Sequence, residues 1–524
     1  MKRVVKIITL LVLSYLVQPA YPLGLPENVL VVRNANSPVS MSVASYYVAA
    51  RSIPAGNLVT INTVDSSLSP ANEFISPANY DAQIELPIKN FMATNNLTNK
   101  IQYIVLTKGV PFKLSANPEP GPTGRSVDSR LAGIDLVDPD VVTFVDENQN
   151  PVAKVTINKY WRSPKPFTHA EFGGYLVIRL DGYTEADAKA LVDRAIAVPL
   201  TPYKLLLDSD FSKGYSDASI QPKWLYLPDG TFDPSYELHY NDYNSDMVRC
   251  SQVLAGAPQM SIQLDQTTTF VSDTNLTGYV SWGSNDGSWG NNPSSPSVQV
   301  YHNLTFGPRS IVETGVSSSG RSMFRDLSTT QGTQSQIQDL IEQGAAGAKG
   351  YMAEPYLDAI ASPTALFDLY FSGRNLAESY YGASRFVKWQ DIVLGDPLCH
   401  LDGTIAANVA AAQALANGTL VSLSNQIVSA GTDDYKDRFY IEDSGRTSGI
   451  MVYIGAEFPG IDRNSIVSVR GILGEIDGER AILKPSIVGI SATLGASPMR
   501  TMSAPSSTTK PTMKLRGQPL ATPP

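Results

Sequence analysis

Tyr279-Val280-Ser281-Trp282 runs into Gly283-Ser284-Asn285-Asp286-Gly287-Ser288-Trp289-Gly290, and Ser310-Ile311-Val312-Glu313-Thr314 runs into Gly315-Val316-Ser317-Ser318-Ser319-Gly320-Arg321. Each is a short apolar strand pattern emptying into a loop of small polar residues. A helical stretch from Gln334 to Ile341, the small-residue run Gly344-Ala345-Ala346-Gly347 and a strand ending at Glu354-Pro355-Tyr356 follow. Ala365 to Tyr381 reads as one long helix, and Gly395-Asp396-Pro397 closes the block. Strands alternating with helices define an open α/β sheet, and ligands of such sheets bind outside the carboxyl ends of the strands. The block therefore places a site in these loops.

The same rhythm extends backwards. Val29-Leu30-Val31-Val32 is the continuous apolar run of a strand buried on both faces. Ser37 then caps a helix with Pro38 at its first position, where a missing N–H costs nothing. Leu58–Ile61, Ile101–Leu106, Tyr175–Leu180 and Leu205–Leu207 are further strands, and Thr184 with Glu185 and Asp187 starts a helix. Residues 118–166 break the rhythm. They read as an insertion carrying its own hairpin, Val141–Val145 against Val152–Ile157. The fold class is α/β, a mainly parallel sheet with helices on both faces, spanning residues 26–402.

Composition changes after Asp402. Residues 403–417 read as an Ala-rich linker or short helix. Residues 418–498 carry about five short strands with turn signals between them, the pattern of a small closed OB-like barrel. The tail, 499–524, is rich in Ser, Thr, Pro and Lys and reads as disordered.

Compartment is read from the start of the chain. Met1–Lys6 is basic, Ile7–Val17 is apolar and too short to span a bilayer, and Gln18-Pro19-Ala20 offers a cleavage site. Residues 1–20 are expected to be a signal peptide, with the mature chain extracytoplasmic and without a transmembrane span. A net charge of −9 with no basic stripe argues against a nucleic-acid partner. No phosphate-binding fingerprint and no His/Cys spacing for zinc occurs, so no cofactor and no metal is expected. The two cysteines, Cys250 and Cys399, are either a disulfide, which this compartment permits, or two buried small apolar residues.

Within the loops, Ser317 is the candidate nucleophile and Glu354 and Asp286 the candidate acid–base carboxylates. Asn285, Trp289, Arg321 and Lys108 are the candidate binding residues. Each also has an ordinary structural use: three serines before a glycine satisfy their own backbone, and Asn-Asp-Gly is a turn. Asp208 and Asp210 are spaced like the start of a calcium loop, without the later glycine and glutamate.

Residues 26–400 resemble an uncharacterised family of secreted bacterial proteins. The phrases that carry it are Thr107-Lys108-Gly109-Val110-Pro111, Arg179-Leu180-Asp181-Gly182, Gly344-Ala345-Ala346-Gly347, Glu354-Pro355-Tyr356 and Gly395-Asp396-Pro397-Leu398. The element order is also similar to the gingipain-type, caspase-like cysteine peptidases. That resemblance implies His-Gly in the first loop and Cys after the next strand. Here the first loop has Ser284, Asn285 and Asp286, and the second has Ser317 to Ser319. His169, His239, His302 and His400 lie outside both. The expectation is an exported, non-catalytic binding or envelope-associated protein for a peptide or glycan. The alternatives are a hydrolase using carboxylate or serine chemistry at the same strand ends, and glycan adhesion through the barrel.

Overall fold

The computed structural model describes residues 24–115, 126–136, 141–145, 151–214, 240–288, 301, 303–325 and 334–491. The expected signal peptide, the tail, Trp289 and parts of the 118–166 insertion lie outside them.

Ten strands form one sheet: β1 (Val29–Asn34), β2 (Leu58–Ile61), β3 (Tyr103–Thr107), β4 (Leu176–Leu180), β5 (Tyr203–Asp208), β6 (Met260–Asp265), β7 (Leu276–Ser281), β8 (Phe306–Thr314), β9 (Gly347–Tyr351) and β10 (Asp391–Gly395). Their order is β6-β5-β7-β8-β9-β10-β4-β3-β1-β2. β1 to β4 are mutually parallel, as are β5 to β9, and β10 is antiparallel to β9. β10 meets β4 at the single pair Leu394–Arg179, which is too short a ladder to set direction. The rims set it. Met323, beyond β8, donates its N–H to Glu73, beyond β2, and Lys108, beyond β3, lies 5.9 Å from the Phe324 ring. The strands on both sides therefore exit at one edge.

The sheet is covered on both faces. On one lie α1 (Pro38–Arg51), α2 (Glu185–Ile196) and α4 (Ile337–Glu342); on the other lie α3 (Tyr240–Val253), α5 (Pro363–Tyr370) and α6 (Leu376–Gly382). The caps follow the sequence: Ser37 accepts from the Ser40 N–H, and Thr184 and Asp187 form a reciprocal capping box. The expected single helix from Ala365 to Tyr381 is instead two. Gly373 takes a left-handed φ of +90° after α5, and Asn375 caps α6 afresh. The small residues before β9 are needed for close approach, since a Cβ on Gly347 would stand 2.3 Å from Leu376 Cδ1.

The inserted hairpin is present, Val141–Val145 against Pro151–Ile157, with Phe386–Val387 added as a third strand. The C-terminal barrel is β11 (Leu420–Ala430), β12 (Arg438–Glu442), β13 (Gly449–Tyr453), β14 (Ile466–Ile476) and β15 (Glu479–Ser491). It closes in the order β11-β12-β13-β15-β14 and back to β11, with β13 and β15 parallel. The stretch read as a linker is built into it. Thr404–Ile405 pair with Val421–Ser422, and Val409 and Ala412 are buried in the barrel core. The disulfide alternative is not realised: Cys250 on α3 and Cys399 after β10 are both buried, unbridged thiols. Burial pushes Cys399 up to about 12, and its Sγ lies 3.3 Å from the Tyr370 hydroxyl.

Gly395-Asp396-Pro397 is a structural clamp. Asp396, fully buried, accepts from the Tyr47 hydroxyl at 2.9 Å, from Arg51 Nε at 2.5 Å and from the Leu398 N–H at 3.0 Å. It ties the last sheet strand to the end of α1, at the amino edge of the sheet. Removing one partner of a buried pair strands the other. Asp396→Ala is expected to lose about 3–5 kcal/mol in chemical denaturation; a loss under about 1 kcal/mol would contradict the clamp.

Candidate functional site

The two loops that open the sequence reading lie side by side at the exits of β7 and β8, and their side chains tie them together. Asn285 Nδ2 donates to the Gly315 carbonyl at 2.7 Å. Ser284 and Ser335 exchange backbone-to-hydroxyl bonds, Ser284 N–H to Ser335 Oγ at 3.1 Å and Ser335 N–H to Ser284 Oγ at 2.8 Å. Gly283 is required here. Its φ is +52°, and a Cβ would meet the Tyr301 hydroxyl at 2.3 Å. Asp286 accepts from both the N–H and the Oγ of Ser288 through one oxygen, at 2.7 Å each, while its other oxygen is buried without a partner.

The remaining candidates stand apart. Ser317 is half-buried in the β8 exit, next to Ser318, whose N–H goes to Gln334 Oε1. Arg321 donates to the carbonyls of Gln334 and Ser318. Glu354 is exposed at the β9 exit and accepts from the Tyr356 N–H at 3.1 Å. Lys108 belongs to the other half of the sheet, where its ammonium, almost fully buried, meets Asp181 at 3.1 Å and the Gly182 carbonyl at 2.7 Å. The structure thus brings Asn285, Asp286 and Ser317 into neighbouring loops and puts Lys108 in a separate ion pair.

Two buried carboxyls near these exits have a character that the sequence reading did not assign: Glu313 drew no attention, and Asp208 was noted only for its calcium-loop-like spacing with Asp210. Glu313 on β8 is fully buried and accepts from the Tyr351 hydroxyl at 2.8 Å. Burial pushes its pKa up to about 8 against the pull of Lys349. Asp208, at the end of β5, is also fully buried. It accepts only from the Val271 N–H, at 3.2 Å, and burial together with the charges of Asp286, Asp265 and Asp210 lifts it to about 9. The signal for Glu313 was available, since a carboxylate inside an otherwise apolar strand has no water to solvate it.

Histidine chemistry lies elsewhere among the described residues. His169 bonds the Gly174 carbonyl and stacks on Tyr175. His400 bonds Asp402 at 3.0 Å and is lowered to about 4 by burial. His239 and His302 fall outside the described residues. No group of three or more His, Cys, Asp and Glu stands together as a metal centre among the described residues, and none of their helices is long and apolar enough to cross a membrane. A cavity of about 170 Å³ lies at the opposite, amino edge of the sheet, between the body and the barrel. Tyr203, Leu254, Met260, Phe371, Leu420 and Ile472 line it. It is largely apolar and remote from the polar loops.

Comparison of the chain with protein-family models, curated proteins and solved structures finds no match.

Glu313 makes stability depend on pH. A carboxyl whose folded pKa is raised binds a proton more tightly in the folded state. Its contribution is complete below its ordinary value near 4.5 and is lost as pH rises through about 8. Glu313→Gln, which stays neutral, is expected to flatten the fall in stability between those values. Parallel denaturation curves for parent and variant from pH 5 to 9 would refute this.

Proposed function

We propose that this is an exported, secreted or envelope-associated binding protein for a peptide or glycan, built on a peptidase-like scaffold. One observation carries the reading: most of the polar side chains at the β7 and β8 exits are spent on tying these loops to each other and to the segment before α4. Asn285 clamps Gly315, and Ser284 and Ser335 satisfy each other. A nucleophile needs a base beside it to be activated. In these two exits the described residues offer hydroxyls, amides and one carboxylate, but no histidine or thiol. A rim rigidified in this way suits recognition, because pre-ordered loops lose little entropy when a ligand lands.

The second reading is hydrolysis of a peptide or glycan by Asp286, Ser317 and Glu354. It is favoured by the unpartnered oxygen of Asp286 beside the half-buried Ser317 loop. Screening the purified protein against peptide and glycan arrays, with product analysis on every ligand that binds, separates the two. Saturable binding with no product is expected, unchanged in turnover by Asp286→Asn, Ser317→Ala or Glu354→Gln. Turnover by the parent that any of these substitutions abolishes would replace the binding reading with the hydrolytic one.

A further inference from the structure

The seam between the sheet and the barrel holds the cavity of about 170 Å³ at the amino edge. Tyr203 of β5, Leu254 after α3, Met260 of β6 and Phe371 after α5 line it from the body, and Leu420 of β11 and Ile472 of β14 line it from the barrel. Tyr203, Leu254, Phe371 and Leu420 are buried, and the Tyr203 and Phe371 rings stand 6.0 Å apart. The neutral polar side chains of the lining already have partners. Gln259 bonds Thr404 Oγ1 and both backbone groups of Leu420, and the Ser372 hydroxyl donates to the Asp368 carbonyl. The Tyr203 hydroxyl accepts the Gly403 N–H at 3.1 Å. The interior is therefore apolar. It reaches solvent beside Val253, Ala255 and Gly256, which are exposed, and a Cβ built on Gly256 would meet nothing within 4 Å.

The lining carries two charges, Lys484 of β15 and Asp368 of α5, which bond each other across the seam at 2.5 Å. A β-bulge aims Lys484 there. Arg470 pairs with Ser486 and Ile472 with Leu483, so Lys484 and Pro485 together oppose the single residue Gly471. Bulges of this kind re-aim a side chain beside a site. Lys484 also takes a left-handed φ of +51°, which is uncommon for a residue with a side chain and persists only where its surroundings impose it. The ion pair itself is loose. Its side chains are 48% and 27% exposed, and a pair this open to water contributes little. Either partner can therefore exchange to a ligand charge at small cost. The ammonium has three donors, of which Asp368 takes one.

We propose that this cavity binds a free apolar α-amino acid, with the side chain inside, the α-carboxylate on Lys484 and the α-ammonium on Asp368. The size fits: a cavity of about 150 Å³ holds one benzene molecule, so this one accepts a benzyl or isobutyl group. The charges fit as well. One cation beside one anion is matched by a zwitterion, whereas a ligand with a single charge satisfies one partner and sets a like charge against the other. Seams between packed domains are a usual place for such apolar sites with a few polar groups at the mouth. The site is separate from the polar loops and does not rest on the reading proposed for them.

The test is isothermal titration calorimetry on the full chain. L-Phenylalanine and L-leucine are expected to bind at one site with a Kd of about 1 mM or tighter. 3-Phenylpropionate lacks the ammonium and phenethylamine lacks the carboxylate, and each should bind at least about tenfold more weakly than phenylalanine. Glycine, with no apolar side chain, should give no heat of binding. Lys484→Met and Asp368→Asn should each weaken phenylalanine binding at least about tenfold. Ala255→Phe, at an exposed position of the lining, should block the cavity while leaving the melting temperature within about 2 °C of the parent. Glu457→Gln, on the exposed surface of the barrel, should bind like the parent. No saturable binding of either amino acid up to about 10 mM would overturn the proposal. So would phenylalanine binding that survives both charge substitutions, or single-charge analogues that bind as tightly as phenylalanine. The last outcome would mean that the cavity takes any small apolar molecule and that the ion pair only joins body to barrel.

Discussion

Arg179 is the charge around which the body is organised. It projects from β4 with no exposure to solvent and donates twice to Asp128, at 3.0 and 2.6 Å, and to the carbonyls of Val110 and Pro111. Asp181 stands 3.5 Å away and is shared with Lys108. A guanidinium buried without such partners would be prohibitively costly, so every group around it has a fixed place. The consequences run outwards. Asp128 sits on the short helix of the insertion, and its neighbour Ser129 bonds Asp391 of β10 and the Trp389 N–H. One arginine thus holds the exits of β3 and β4, the inserted segment and the one reversed strand together.

The two halves of the sheet use polar residues differently at the same edge. Around β3 and β4 the buried charges are matched in pairs, Arg179 with Asp128 and Lys108 with Asp181. Around β5, β7 and β8 carboxyls are buried in excess, with Asp208 and Glu313 both lifted far above their ordinary range. Matched pairs fix geometry as ions, whereas the unmatched acids are held in their neutral form by burial. This contrast sets the β5 to β8 half of the sheet apart from the β3 and β4 half.

Much of the fold was legible because its determinants are local. Val29–Val32, the Ser37-Pro38 cap and the Thr184–Asp187 box read directly as strand and helix starts. The helix break at Gly373 was not legible, because it depends on a single left-handed glycine and a fresh cap at Asn375. The packing of Val409 and Ala412 into the barrel was not legible, because alanine suits a linker and a packed helix equally. The candidate site was legible only as a place. Asn285 was singled out for binding and Asp286 for acid–base chemistry; the structure spends the Asn285 amide on the Gly315 carbonyl and one Asp286 oxygen on Ser288. Glu313 carried a local signal as a carboxylate inside an apolar strand, whereas Asp208 acquires its character from strands far away in sequence, which no local pattern carries.

The reversed direction of β10 determines where the rest of the chain goes. Asp396, clamped by Tyr47 and Arg51, leaves the sheet at its amino edge, and the barrel begins from there. Arg470 of the barrel reaches the Gly373 carbonyl, and Gln259, just before β6, bonds Thr404 and Leu420. The barrel therefore covers the end of the sheet away from the polar loops. An extended partner touching both would have to run the depth of the sheet, roughly 17 Å for a five-residue strand. The molecule is in effect two-ended, with the barrel at one end of the sheet and the polar loops at the other.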